Sequence, residues 1–553
     1  MSLYGFTGPQ DSKLLKTMSS SLAHRGATQA TANLGGHFVE EGPNVSIAWS
    51  GTLRPHPGSL LQCYQDHGIA FVRHLNGEFV IAVQDGESLY VARDAAGART
   101  CCYGHHGDRW HIAAEPKGIW QLPGFSRRIR PAAVAQYFTY SFIPGNGTML
   151  EDIWELPAGH YVHLKSGKSS DLRCWFDKAS PPSFLETTPN DAPQRFRNLL
   201  QHEVSLRLSE TDQPVVFLSG GLDSSVVTAE VARQSRRRVK TFAIHFGRRY
   251  SNELQFARQV AERFGTDHEE VEISPKRAVA RMREMVWRLD DPIGDPVTAP
   301  NFELASHAAA QGATHVFNGE GGDPLFGGPK NLPMLLGHWY GGLGHSKQSR
   351  EQRYLESYRR GYEELPHLLT PDFQAHYSDV DLHAPLTPFF DSAGPFLHKL
   401  LAINTQLKGA HLILPKVERM LVASGVIPLS PMFTGDMIRL AFSSPPNTKL
   451  RHGIEKWLMK EAYRELLPPE IIARPKSGMR VPVHFWFKGP LRRYARSLLS
   501  RKALRQSGIF NPDRVQQWLK YDIEQPNGRY GLRLWMLLTF ELWRRIVVEN
   551  EPV

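Results

Sequence analysis

The sequence predicts an α/β protein built in two parts, and three observations carry that expectation. Up to about Phe176 it runs in short apolar stretches broken by turn residues, such as "FVIAVQDGESLYVARD", "RWHIAAEP" and "GHYVHLKSG", which read as antiparallel strands. The stretch "ASPPSFLETTPNDAP" then breaks every periodicity and marks a linker at residues 179–192. Beyond it, helical patterns alternate with short buried strands, an order that requires right-handed crossovers and a parallel sheet. A chain of 553 residues exceeds one ordinary hydrophobic core, so at least two are expected.

The elements of the second part follow in order. "APQRFRNLLQHEVSLRL" reads as a helix, "PVVFL" as a strand, "SSVVTAEVARQ" as a helix and "KTFAIHF" as a strand; the helix "NELQFARQVAERF" and the strand "EEVEI" come next. After about residue 350 helical patterns dominate, and "GIEKWLMKEAYRELL" and "YGLRLWMLLTFELWRRIV" place apolar residues at helical spacing. "GVIPLSPMFTGD" reads as a loop, and no internal repeat is visible.

Composition narrows the function classes. With 41% apolar and 22% charged residues the chain is expected to be a soluble globular protein. The formal charge of +10 is spread along the chain rather than gathered in a basic tract, so nucleic acid is not the expected partner; an anionic substrate or a carrier protein is compatible with it. The four cysteines, Cys63, Cys101, Cys102 and Cys174, show no CxxC spacing, which fits reduced thiols in a cytoplasm. "MSLYGFTGPQDSKLL" has neither the basic start nor the apolar run of a signal peptide, and no stretch is long enough to span a membrane.

The chemistry is concentrated in "LSGGLDSS", Leu218 to Ser225, where a strand of the parallel sheet runs into a helix. Ligands of such sheets bind beyond the carboxyl ends of the strands. Gly220 and Gly221 let the backbone approach a ligand, and the following helix N-terminus offers N–H groups and a positive dipole end. Ser219, Ser224 and Ser225 add hydroxyl groups, but the Gly-Lys-Ser/Thr of the usual mononucleotide loop is missing. Asp223 would repel polyphosphate unless a divalent cation lies between them, so ATP with Mg2+ is the implied ligand.

A second apolar strand runs into glycines and carboxylates in "HVFNGEGGDPLFGG". Asp323 is the candidate second Mg2+ ligand, and Glu320 the candidate general base toward an incoming amine. The glycines and aromatic residues of Pro329 to Gly344 next to this loop are expected either to line the acceptor pocket or to pack in the core.

Together "LSGGLDSS", "NELQFARQVAERFGTDHEEVEI", "NGEGGDPLFGG", "KVERM" and "LLPPEIIARPKSGMRVPVHFWFKGPLR" resemble the synthetase domain of glutamine-dependent asparagine synthetases and their relatives. "HRG", "LNGEF", "ARD", "AAEPKG" and "LPAGHY" extend the likeness to the N-terminal half. The resemblance implies an N-terminal nucleophile-type α-β-β-α domain over residues 1–178, the linker at 179–192, and a pyrophosphate-loop synthetase domain over 193–553. It further implies activation of a carboxylate as its acyl-adenylate. On the matching positions, Ser219, Gly220, Gly221, Asp223, Ser224 and Ser225 would hold the pyrophosphate, and Asp223 and Asp323 the Mg2+. Leu218, Ile244, Asn318 and Gly319 would hold the adenosine portion, and Lys476 in "RPKSG" matches the family's catalytic lysine. A fixed cation there would stabilise charge on the α-phosphate and on the tetrahedral intermediate. Lys456 reads as structural or substrate-facing.

The sequence also departs from the family. Glutamine-using members begin Met-Cys-Gly, whereas this chain begins Met1-Ser2-Leu3 and has no cysteine before Cys63. Ser50 and Thr52 in "WSGTLR" stand where the family's glutamine-binding Asn-Gly-Glu is expected, and "GVIPLSPMFTGD" replaces Glu-x-Arg-x-Pro-Phe-Leu-Asp near the acceptor. The expectation is an ATP-dependent ligase that joins a small-molecule or peptide carboxylate to an amine, either of them carrier-bound or free, without hydrolysing glutamine, in specialised biosynthesis. Alternatives are an asparagine synthetase using ammonia or glutamine through Ser2, an intramolecular cyclase of the β-lactam synthetase or lasso-peptide type, and a non-catalytic nucleotide-binding scaffold. A homodimer is left open.

Overall fold

The computed structural model describes all residues except 55–57, 177–190, 248, 251, 328–331, 341–348, 359 and 476–477. Of the expected linker, residues 179–190 therefore lie outside the described residues, and Ala192 already opens the helix Ala192–Leu208. Among the described residues, no helix is long and apolar enough to cross a membrane, and no disulfide joins the four cysteines.

The N-terminal part is a sandwich of two six-stranded antiparallel sheets. In the first sheet Leu3–Phe6 lies between Leu34–Gly36 and Arg109–Ala113; in the second, Gly77–Asp85 lies between Val45–Leu53 and Ser88–Arg93. Strand alternation explains the layering: Ala48, Val80, Ala82, Leu89 and Val91 of one sheet meet Leu3, Tyr103 and Ile112 of the other in a closed apolar layer. The outward sets, Tyr4 and Phe6 on one sheet and Ile47, Trp49 and Ile81 on the other, pack under helices. The layers are α-β-β-α.

The C-terminal part is a five-stranded sheet in the order Asp267–Glu272, Lys240–His245, Val215–Phe217, His315–Phe317, Ile427–Leu429, with every pair parallel. The strands and helices expected between Ala192 and Ile273 are present. Ile427–Leu429, read from sequence as loop, is a fifth strand; its Pro428 is tolerated because the strand lies at the sheet edge, where one row of N–H groups has no ladder partner.

A second difference concerns "GIEKWLMKEAYRELL". Instead of one helix, the chain makes a hairpin of Leu450–Arg451 with Ile454–Glu455, and a helix begins only at Trp457. His452 and Gly453 both take positive φ, which turns the strand back on itself and overrides the helical periodicity around it.

The Lys449 ammonium is buried before this hairpin, donating to the Ser444 carbonyl at 2.7 Å and lying 3.3 Å from His398 Nε2. Burial pushes it down to about 7. The folded protein thus binds fewer protons than the unfolded chain between that value and the ordinary lysine value, and this group's contribution to stability rises with pH across the interval. Lys449→Met is expected to stabilise the protein by ~2–3 kcal/mol more at pH 6 than at pH 9, read from denaturant unfolding at the two pH values. An equal effect at both would mean that Lys449 folds as a solvated cation.

The two parts share buried ion pairs. The Arg25 guanidinium is buried between Glu115 of the sandwich and Glu418 of the helix Leu414–Val422. Burial alone would raise the Glu115 carboxyl, yet Lys117, His24 and Arg25 hold it well below the usual carboxylate range. Arg93 donates to the Ala410 carbonyl at 3.2 Å, and His411 Nδ1 lies 3.0 Å from Glu155.

Candidate active site

The loop after Val215–Phe217 is pre-formed by its own hydroxyl groups. The Ser219 N–H donates to Ser224 Oγ at 3.1 Å, the two hydroxyls are 3.0 Å apart, and Ser224 Oγ donates to the Gly221 carbonyl at 3.2 Å. Gly220 takes φ +77, and a Cβ there would lie 2.6 Å from the Ala257 nitrogen, so only glycine fits between loop and helix. Gly221 caps the helix Leu222–Gln234 without a side chain, which leaves the positive end of the helix directed at the loop. Ser225 Oγ donates to the Gly221 carbonyl at 2.7 Å, which braces the first turn of the helix.

The second loop meets the first. A Cβ on Gly319 would lie 2.6 Å from the Ser224 nitrogen, and one on Gly322 would lie 2.3 Å from Asp223 Oδ1. Gly319 and Gly322 of "NGEGGD" therefore let the two loops touch. Asp323 stands in the first turn of the helix Gly322–Phe326. Asp223 and Asp323 converge on one cation, the Lys456 ammonium, which donates to Asp223 Oδ1 and Oδ2 at 2.7 and 2.6 Å and pairs with Asp323. The sequence leaves Lys456 open between a structural and a substrate-facing role and does not pair it with these acids.

A cavity of about 460 Å3 opens between the loops. Its lining includes Leu218, Ser219, Asp223, Ser224, Ile244, Asn318, Gly319, Glu320 and Asp323, and thus brings together most of the residues singled out from sequence. Lys476 lies outside the described residues. Val297, Leu304, Val417 and Leu421 form an apolar wall on the sheet face that also carries Phe217 and Ile244.

Three polar groups set the electrostatics. Asn318 is buried; its Oδ1 accepts from the Glu320 N–H at 3.0 Å and from Ser430 Oγ at 2.9 Å, which fixes the amide orientation. Its Nδ2 has no protein partner among the described residues, which leaves a buried donor on the cavity lining. Lys416 pairs with Asp295 at 2.7 Å. Burial works against its ammonium, but Asp295 and then Glu320 raise it above the usual lysine value, so it stays charged and its field favours an ionised Glu320. Arg474 donates to the Gly220 carbonyl at 3.0 Å, pairs with Glu253 and stacks 3.9 Å over Phe256, holding the first loop from outside. No role was assigned to Arg474 from sequence, because an arginine after a helix ordinarily reads as solvated.

The acids suit a hard divalent cation: two carboxylates directed at one point, with oxygen donors only. Among the described residues no group of three or more His, Cys, Asp or Glu could hold a metal, so a cation on these two acids would need ligands beyond that set.

Comparison with known proteins adds to this geometry. The asparagine synthase family model matches residues 195–545, and the glutamine amidotransferase domain model matches residues 58–175. Glutamine-hydrolyzing asparagine synthetase 1 of Bacillus subtilis is 24% identical over 524 residues, covering 89% of this chain and 81% of that protein. Glutamine-hydrolyzing asparagine synthetase 2 of Oryza sativa subsp. japonica is 29% identical over 285 residues, 49% of this chain and 42% of its own. Among solved structures, the glutamine phosphoribosylpyrophosphate amidotransferase of B. subtilis covers 49% of this chain and 65% of its own at 12% identity, with a TM-score of 0.23.

Proposed function

The chain belongs to the asparagine synthase family of ATP-dependent, amide-forming ligases, and on that premise we propose that it adenylates a carboxylate and transfers the acyl group to an amine without hydrolysing glutamine. The observation that carries this reading is the convergence of Asp223 and Asp323 on one cation at the mouth of the parallel sheet. A nucleotide cradled by Ser219, Gly220, Gly221 and Ser224 would present its α-phosphorus to the substrate carboxylate. A carboxylate oxygen attacks that phosphorus, the bond to the bridging oxygen breaks, and pyrophosphate leaves. A divalent cation on the two acids would neutralise the leaving group. Asn318 Nδ2, a buried donor on a residue lining the cavity, would donate to the bound nucleotide. The amine then attacks the acyl carbon, AMP departs, and Glu320, with Lys416 nearby, takes the amine proton. Lys476 keeps the role of charge stabiliser on the motif alone.

The N-terminal domain, over residues 1–178, is read as a degenerate amidotransferase. Ser2 is buried and its Oγ finds no partner among the described residues. Thr52 Oγ1 donates to Glu210 at 3.4 Å, and Arg54 donates to the same carboxylate, so this strand faces a protein anion where a glutamine clamp is expected. The acceptor acid is expected to differ from aspartate, since Ile427 and Leu429 put two apolar side chains into the segment that replaces the family's charged motif. Specialised biosynthesis is the setting this favours.

Carboxylate-dependent ATP–pyrophosphate exchange over a panel of acids tests the reading, with glutaminase assayed in parallel. Exchange with a non-aspartate acid and no glutamate release is the expected result. Absence of exchange with every physiological acid would overturn it. Asparagine synthesis from aspartate and ammonium is the second reading, favoured by the Glu320 that this chain retains at the family position; exchange supported by aspartate alone would select it.

A further inference from the structure

Lys456 occupies the point at which Asp223 and Asp323 meet. Its ammonium uses both oxygens of Asp223 and one of Asp323, and its side chain is buried. It is aimed from both sides: the hairpin strand Ile454–Glu455 ends immediately before it and the helix Trp457–Ala462 begins immediately after. Its backbone lies at φ 54, ψ 33, a left-handed conformation that disfavours a residue with a Cβ. Strain of this kind persists where surrounding structure over-determines a residue, and it clusters at functional sites.

A divalent cation held by both acids needs the same oxygens and the same space. Two positive ions a few ångströms apart in a partly buried site repel strongly, so the ammonium and the metal cannot share the pair. We propose that Lys456 bars a bare divalent cation from Asp223 and Asp323, so that the metal enters only with the nucleotide, whose phosphates give the displaced ammonium a new anionic partner. The inference rests on the adenylating reading above, which supplies the metal and the nucleotide. It makes metal and nucleotide binding mutually reinforcing, because each raises the affinity for the other by the same factor.

Mn2+ is the probe, its binding followed by electron paramagnetic resonance of the free ion, with and without a non-hydrolysable ATP analogue. The wild type is expected to bind Mn2+ tightly only with the analogue. Lys456→Met is expected to bind Mn2+ without it, with a gain of about tenfold or more over the wild type, because a charge competing for the oxygens of both acids is gone. Lys456→Gln, checked for native circular dichroism, provides a second variant should the methionine form not fold. Equal Mn2+ affinity of wild type and variants without nucleotide, with all of them binding when it is present, overturns the gating role and leaves the adenylating reading standing. Failure of the wild type to bind Mn2+ even with the analogue removes both.

Discussion

Asp323→Asn is expected to lower carboxylate-dependent ATP–pyrophosphate exchange by about a hundredfold to a thousandfold while the protein remains folded. The substitution keeps the shape of the side chain and removes its charge. Asp323 is only part-buried in the first turn of the helix Gly322–Phe326, so little of the fold depends on it. Asp223 is different: it is buried, sits against Gly322 and carries most of the contact with Lys456, so Asp223→Asn would mix loss of function with loss of structure. Retention of full exchange in Asp323→Asn would mean that the pyrophosphate leaves without a cation bridging the two loops.

How far the site was legible depends on how local its determinants are. The strand–loop–helix of "LSGGLDSS" and the glycines of "NGEGGD" are written in consecutive residues, and the chemistry of a carboxylate facing phosphate is readable from residue type. The structure brings them together at one cavity. The contact of Lys456 with the two acids is not legible because "GIEKWLMKEAYRELL" carries a helical period, while the positive-φ pair His452 and Gly453 imposes a hairpin instead. The reach of Arg474 to Gly220 spans 254 residues and has no signature in either segment. Ile427–Leu429 is a strand only because His315–Phe317 offers it an edge to pair with; three residues including a proline hold too little pattern to announce it.

The same limit hides what joins the two parts, and this gives the other large expected effect. Arg25→Met is expected to destabilise the protein by about 3–5 kcal/mol in denaturant unfolding, the usual consequence of stripping a buried ion pair of one partner. Arg25 and Glu418 are 393 residues apart and both side chains are buried. With Arg25 removed, Glu115 keeps Lys117 at 2.8 Å, while Glu418 keeps a 3.3 Å bond from Thr100 and the field of the buried Arg99 but no direct ion pair among the described residues, so most of the burden falls on Glu418. Arg25→Met with Glu418→Gln should therefore recover part of the loss, a coupling that a double-mutant cycle measures. Glu418 lies on the helix Leu414–Val422, which also carries Lys416 beside Glu320 and the wall residues Val417 and Leu421. The sandwich would thus be needed by the synthetase part whatever its own chemistry, because its arginine holds a helix of the synthetase cavity in place. Arg25→Met should raise the KM for ATP as well as lower stability, and unchanged values of both would separate the two halves functionally.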